Sequence, residues 1–294
     1  MSSIAYADAP FDFIQSNLSS HFVLLVTATA TETKHLHGQL TAIQKDLIYK
    51  IHKGSLTYFI GKLGLYNIIH VQCGMGTSSR DASIVTIKDA INDLKPKVIV
   101  MVGIAFGTNK KEQQIGDVLV SEVILPYEFK RVGEKYDIQR SGHAYASQIL
   151  VNRFKSNFDW EYNLPNGKKA DLKVGDILSG DKLIDNKSFR DNLVKSFPTA
   201  KGGEMEGAGL FSAANSKAEW ILIKGICDFA DGRKSTNKKE NQAIAIEAAI
   251  SASMILFNSP YAFDGIGIEV AQNDKKKNQL KLVTLKIFYL IYIV

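Results

Sequence analysis

Small and acidic residues recur in five short stretches of this 294-residue chain, each behind an apolar run. They are residues 29–32, ending in Glu32; 74–78, a Gly-rich stretch from Gly74 to Ser78; 103–107, bounded by Gly103 and Gly107; 179–181, ending in Asp181; and 228–231, bounded by Asp228 and Asp231. A carboxylate in such a place accepts hydrogen bonds from two hydroxyls at once or moves a proton. Any single stretch is explained by glycines making a turn, and Asp228 alone by an aspartate capping the segment after a strand. A second acidic group, Glu204 and Glu206 with Met205 between them, lies within residues 202–209. The two cysteines, Cys73 and Cys227, form neither a disulfide framework nor a metal spacing, which fits a reducing compartment. His35 and His37 are one residue apart with no further ligand cluster in view, so a solvated segment rather than a metal site is expected.

The elements that must position these groups follow from hydrophobic periodicity. Short apolar runs at 22–26, 47–51, 56–60, 67–71, 98–102, 117–125, 174–178 and 220–226 read as strands. Residues 82–94 have helical spacing, with Pro96 ending the helix. Residues 208–214 and 242–257 read as helices too. Apolar strands alternating with helices predict an α/β fold: three layers, α/β/α, around a mixed, largely parallel central sheet. In such sheets ligands bind beyond the carboxyl ends of the strands. The five stretches sit at those ends, so the fold gathers them on one rim, and together they argue for a site.

Gly202-Gly203-Glu204-Met205-Glu206-Gly207-Ala208-Gly209 resembles a motif of the nucleoside phosphorylase and nucleosidase superfamily. Lys224-Gly225-Ile226-Cys227-Asp228-Phe229-Ala230-Asp231-Gly232 resembles its second motif, Ser179-Gly180-Asp181 a third, and Gly103-Ile104-Ala105-Phe106-Gly107, more loosely, a fourth. The resemblance covers roughly residues 21–258 and is strongest to methylthioadenosine and S-adenosylhomocysteine nucleosidases. It implies a nucleoside phosphorylase-like fold and cleavage of the bond between a purine and its ribose.

That chemistry needs a general acid for the departing base, and the resemblance assigns it to Asp228. Such an acid is kept protonated near neutral pH by desolvation or nearby negative charge; Phe229 and the preceding strand supply the first and Asp231 the second. Glu206 is implied to accept hydrogen bonds from both ribose hydroxyls, with Met205 beneath the sugar. The plain alternatives are a core methionine at 205 and a solvated carboxylate at 204. The remaining implied substrate contacts are Glu204, Gly103, Ile104, Ala105, Leu183, Ile184 and Cys227. Phosphorylases hold phosphate with an arginine and a serine; those positions fall here on Met101 and Ile104, neither of which binds an anion. Glu32 stands at the spacing of the nucleosidases' water-activating glutamate, its plain alternative being an exposed loop or helix-start carboxylate. Hydrolysis is therefore expected.

Three departures bear on the substrate. Ile104 replaces the usual serine, Leu183 and Ile184 stand where an aromatic often stacks on the base, and Lys224 replaces a frequent arginine. Lys182, Lys224, Arg233 and Lys234 suit a phosphorylated substrate such as AMP or ATP. These motif variants also resemble phosphorylase-like domains of signalling and immunity proteins, some of which deplete nucleotides as defence effectors. The alternatives are a phosphate-dependent purine nucleoside phosphorylase and a non-catalytic nucleotide-binding sensor of the same fold.

With 45% hydrophobic and 22% charged residues the composition is that of an ordinary globular protein, and the net charge of +6 is spread along the chain. No motif or aromatic–basic interleaving suggests nucleic acid. Residues 1–17 lack a secretory pattern, so a cytoplasmic location is expected. The expected organisation is a lead-in at 1–20, a catalytic domain at 21–260 and a tail at 261–294. In the tail, Asp274-Lys275-Lys276-Lys277 precedes an apolar stretch at 280–294. That stretch is too short for a bilayer span, which takes about 20 residues. Docking on a membrane or partner, a packed terminal strand and a truncated frame all remain compatible with it, and membrane contact is not the expectation. The expected partner is a small purine nucleoside or nucleotide, without metal or organic cofactor. The resemblance adds a homo-oligomer, a dimer or larger.

Overall fold

The computed structural model describes residues 5–18, 21–43, 47–131, 133, 138–140 and 142–271. In chain order the elements are β1 (Tyr6–Asp8), α1 (Asp12–Leu18), β2 (Val23–Thr27), α2 (Ala30–His37), β3 (Ile48–Lys53), β4 (Leu56–Leu63), β5 (Tyr66–Gln72), α3 (Ser83–Leu94), β6 (Val98–Gly107), β7 (Val118–Pro126), β8 (Lys130–Arg131), β9 (Ile138–Gln139), β10 (Ala144–Tyr145), α4 (Gln148–Lys155), β11 (Leu172–Ser179), α5 (Lys187–Ser196), β12 (Gly202–Glu204), α6 (Gly207–Ala214), β13 (Glu219–Asp228) and α7 (Lys238–Phe257).

Eleven strands form one mixed sheet, ordered β1-β3-β4-β5-β2-β6-β12-β11-β7-β10, with β13 between β6 and β7. Parallel pairing joins β2 to β5 and β6, and β13 to β6. Antiparallel pairing joins β3 to β4 and β4 to β5, and also β13 to β7. Because β12 closes back on β6, strands β6, β13, β7, β11 and β12 make a closed circuit. The central strands are continuous apolar runs because both their faces are covered: residues 23–26, 98–102 and 221–223 are inaccessible to solvent. Helices α2 and α4 pack with α7 on one side, while α3 and α6 pack together on the other. The seat of α7 on β13 depends on Gly225, where an added Cβ would lie 1.9 Å from the Ala245 carbonyl oxygen.

Several elements go beyond the periodicity. The strand expected at 98–102 runs on to Gly107, so the Gly103 to Gly107 motif is strand rather than loop. Gly202 to Glu204 is a strand as well, and Glu32 lies on a helix. Part of the stretch read as a lead-in supplies β1, which pairs in parallel with β3, and α1, which buries Ile14 and Leu18. The basic run and the apolar stretch of the tail lie outside the described residues. Among the described residues no helix is long and apolar enough to cross a membrane.

Candidate functional site

The turn after β2 is built by Thr29 and Glu32 acting as a capping box: the Thr29 hydroxyl accepts from the Glu32 N–H, and Glu32 reaches back to the cap. Glu32 Oε2 accepts from Ala28 N and Thr29 N, each at 2.8 Å. Its Oε1 accepts from Ile104 N at 2.9 Å. The carboxylate is 1% exposed. Of its two plain alternatives the exposed loop is therefore excluded, and the helix start is correct but buried. Oε1 keeps one acceptor direction beyond the Ile104 bond.

Lys224 lies opposite Gly103 in the parallel pairing of β13 with β6. Gly103 has no side chain, and the space is used: an added Cβ would stand 2.5 Å from Glu32 Oε1 and 2.8 Å from Lys224 Nζ. The ammonium donates to Glu206 Oε2 at 2.9 Å and lies 3.7 Å from Glu204 Oε2. A lysine this deeply buried survives as a cation because three carboxylates surround it. Burial pushes its pKa down, but Glu206, Glu204 and Glu32 more than reverse that, and the net direction is up. The counterpart is that burial pushes Glu204 up to about 7, against the pull of Lys224. Burial raises Glu32 as well.

Glu206 also accepts from Gly76 N at 3.3 Å, tying it to the loop after β5. Ser83 Oγ lies 2.9 Å from the Gly76 carbonyl oxygen and 3.1 Å from that of Glu206, with one proton to share between them. Glu204 serves the backbone instead. Its oxygens accept from Glu206 N at 2.8 Å and Gly207 N at 2.9 Å, capping α6 and fixing Glu206. Ser179 Oγ accepts from Ala208 N at 2.9 Å at the same helix end. Asp181 holds the 76–79 loop, accepting from Thr77 N at 2.6 Å, Thr77 Oγ1 at 2.7 Å and the Ser78 hydroxyl.

Asp228 ends β13 at a bulge: Ile226 pairs with Ala105 and Asp228 with Phe106, leaving Cys227 unmatched. Its Oδ1 accepts from Ala230 N at 2.9 Å, which caps the following turn. Its Oδ2 faces Cys227 Sγ and Lys234 Nζ, each at 3.3 Å. The capping bond uses Oδ1, while Oδ2 is paired with Lys234.

The remaining expected contacts divide. Gly103 and Ala105 are buried on β6, while Ile104 and Met205 are partly buried. Cys227 is buried, with its thiol pushed up in pKa by burial and by Asp228. Ile184 is buried in a small apolar cluster with Phe106, Leu178 and Ala230, whereas Leu183 is 60% exposed. The four basic residues are each engaged by a different carboxylate. Lys224 is bonded inside the carboxylate cluster, Lys182 pairs with Glu128, Arg233 Nε lies 3.8 Å from Asp231, and Lys234 lies on Asp228. Ser83 escapes sequence reasoning, since a small polar residue at the start of a helix carries no distinctive signal.

The model of the phosphorylase superfamily matches residues 23–258. The chain belongs to the phosphorylase superfamily. Among superfamily relatives it is 32% identical over 254 residues to a death domain-containing ATP nucleosidase of Amphimedon queenslandica, covering 77% of this chain. It spans only 46% of that protein's length, about half. It is 25% identical over 224 residues to a 5′-methylthioadenosine/S-adenosylhomocysteine nucleosidase of Staphylococcus epidermidis, covering 74% of this chain and 92% of the relative. The fold matches the crystal structure of the corresponding Neisseria meningitidis nucleosidase in complex with methylthio-immucillin-A. That match has a TM-score of 0.66 at 18% identity, over 81% of this chain and 99% of the other.

Proposed function

We propose that this chain is a purine nucleosidase, hydrolysing the base–ribose bond of a purine nucleoside or nucleotide to release adenine or another purine. The observation that carries the reading is the cluster of Glu32, Glu204 and Glu206 around the single cation Lys224. The ammonium is already taken up by these carboxyl groups, which opposes a phosphate co-substrate and suits a water molecule and the cationic sugar of the transition state. In the proposed reaction Glu206 and Met205 hold the sugar, and Glu32 Oε1 orients a water and takes its proton. The water oxygen bonds to the anomeric carbon as the C–N bond breaks. The electron pair leaves with the purine, and Asp228 delivers a proton to a nitrogen of the five-membered ring. Gly103, Ile104, Ala105, Ile184 and Cys227 complete the binding wall, with Leu183 at its mouth.

The same proposal takes residues 21–260 as the catalytic unit, in a cytoplasmic homo-oligomer. Exposed apolar side chains at Met75, Phe129 and Leu183, next to the loops that frame the site, favour a covering copy. A nucleotide substrate and a nucleotide-depleting effector role draw support from the likeness to the Amphimedon queenslandica protein.

The test is to incubate the chain with adenosine, inosine, methylthioadenosine, AMP and ATP, with and without phosphate, and measure free base. Release independent of phosphate is expected, and Asp228→Asn and Glu206→Ala lose it while remaining folded. A rate that requires phosphate makes the chain a phosphorylase. Normal turnover by Asp228→Asn refutes the acid assignment. Adenine from adenosine but not from AMP or ATP removes the nucleotide part.

A further inference from the structure

Outside the candidate site, six side chains form an unbroken run of hydrogen bonds that ends at the turn carrying Glu32. Tyr6 Oη lies 2.8 Å from His37 Nδ1, His37 Nε2 2.9 Å from His70 Nδ1, and His70 Nε2 2.9 Å from Thr27 Oγ1. Thr27 Oγ1 lies 2.7 Å from Thr33 Oγ1, which donates to Gln72 Oε1 at 2.8 Å. The residues come from β1, α2, β5 and β2, and His37, His70 and Thr27 are buried.

The protons in this run have a single order. Gln72 Oε1 only accepts, so Thr33 gives its proton there and accepts from Thr27. Thr27 then accepts from His70 Nε2–H. His70 Nδ1 accepts from His37 Nε2–H, and His37 Nδ1 accepts from Tyr6. Each neutral ring supplies one donor and one acceptor, so both nitrogens of both rings are satisfied. Burial keeps the rings neutral, pushing His37 down to about 4 and His70 well below the ordinary range, with His37 adding to the latter.

Thr27 and Thr33 are the two ends of the turn. Between them Ala28 N and Thr29 N grip the Glu32 carboxylate, and Thr33 follows Glu32 directly. Imidazoles and hydroxyls cost more to bury than aliphatic side chains, and pairing only offsets that cost. What they add is direction. We propose that His70, held in turn by His37, is a positioning residue for Glu32: by donating to Thr27 it fixes the Thr27–Thr33 bridge that closes the turn, and so the place from which Glu32 presents a water. The proposal rests on the reading of Glu32 as the group that orients the water.

The experiment measures kcat and KM for adenine release by the full chain from whichever of adenosine, AMP and ATP it cleaves. Thr27→Val keeps the side-chain shape and removes the hydroxyl; His70→Leu removes both ring nitrogens. Each is expected to lower kcat roughly 10- to 100-fold, the scale of a misplaced catalytic group, with KM changed less than about twofold because the sugar-holding residues are untouched. His70→Gln, which restores a donor near the Nε2 position, recovers most of kcat. If His70→Leu does not fold, Thr27→Val carries the test. Full kcat in Thr27→Val beside an inactive Glu32→Gln overturns the relay and leaves the role of Glu32 standing. Full turnover by Glu32→Gln removes that role, and the relay with it. Independently of turnover, imidazole nitrogen NMR at pH 7 is expected to find the proton of both rings on Nε2; a proton on Nδ1 of either ring overturns the order.

Discussion

Replacing Lys224 with methionine keeps an unbranched side chain in the same channel and deletes the cation held among Glu32, Glu204 and Glu206. At 2.9 Å from Glu206 and 3.7 Å from Glu204, the two attractions are worth roughly 6 and roughly 4 kcal/mol at an effective dielectric of about 20, before desolvation is counted. Removing one member of a buried ionic set costs about 3–5 kcal/mol net, because the remaining charges are left without compensation. For a domain of this size that lowers the melting temperature by on the order of 10 °C. The loss has a pH signature. Without Lys224 the carboxyl of Glu204, already raised to about 7, rises further. A carboxyl whose folded pKa lies above its unfolded value favours folding at low pH and loses that contribution as pH rises through the folded value. The gap between Lys224→Met and the parent chain is therefore expected to be smallest near pH 5 and to widen above 7. Thermal or urea unfolding across pH 5 to 8.5 reads it directly. A variant as stable as the parent at pH 8, or a gap that does not change with pH, would refute the account of Lys224 as the cluster's counter-charge.

Other perturbations follow from single distances. Gly103→Ala drives a methyl group to 2.5 Å from Glu32 Oε1 and 2.8 Å from Lys224 Nζ; it is expected to cost about 1–3 kcal/mol of stability and most of the base release, checked by urea unfolding and the adenine assay. His37 titrates near 4 when folded but near 6.5 when unfolded. Its contribution to stability is therefore lost as pH falls from about 6.5 to about 4, by about 1.4 kcal/mol per pH unit within that window. His37→Gln should flatten the acid limb of a stability–pH profile; an unchanged limb counts against a buried neutral ring. Gly225→Ala forces α7 off β13, since the new methyl would lie 1.9 Å from a backbone carbonyl. It should cost several kcal/mol, and a melting temperature within about 2 °C of the parent shows that the helix shifts freely.

The strands that carry the site were legible because both their faces are buried. The apolar runs at 98–102 and 220–226, the second interrupted at Lys224 and Gly225, leave little choice, and they lead straight to Gly103 and Asp228. Helix α2 escaped periodicity because Leu36 is its one large apolar residue, although Thr29 with Glu32 three positions later is a capping-box signal. Strand β12 is hidden in Gly202-Gly203-Glu204, which offers almost no side chains to pattern. Lys224 was grouped by residue type with Lys182, Arg233 and Lys234 as suited to a phosphorylated substrate. Its place inside the apolar run 220–226 was the better guide, because a charge in a covered strand must find its partner in the interior. The His37–His70 pair has no local signature at all. Its members are 33 positions apart, and only the parallel pairing of β2 with β5 brings His70 to the strand that ends in Thr27.

The two open ends of the main sheet are short strands. β1 has three residues and β10 has two, and short edges resist pairing with another molecule. Behind β1 stands β3, Ile48 to Lys53, whose backbone groups on that side are occupied by residues 5–9. Trimming the chain to the first residue of the superfamily match, Val23, would strip that cover. It would present a six-residue strand carrying Ile48, Tyr49 and Ile51 to its neighbours, so the short N-terminal segment covers an edge as well as anchoring Tyr6.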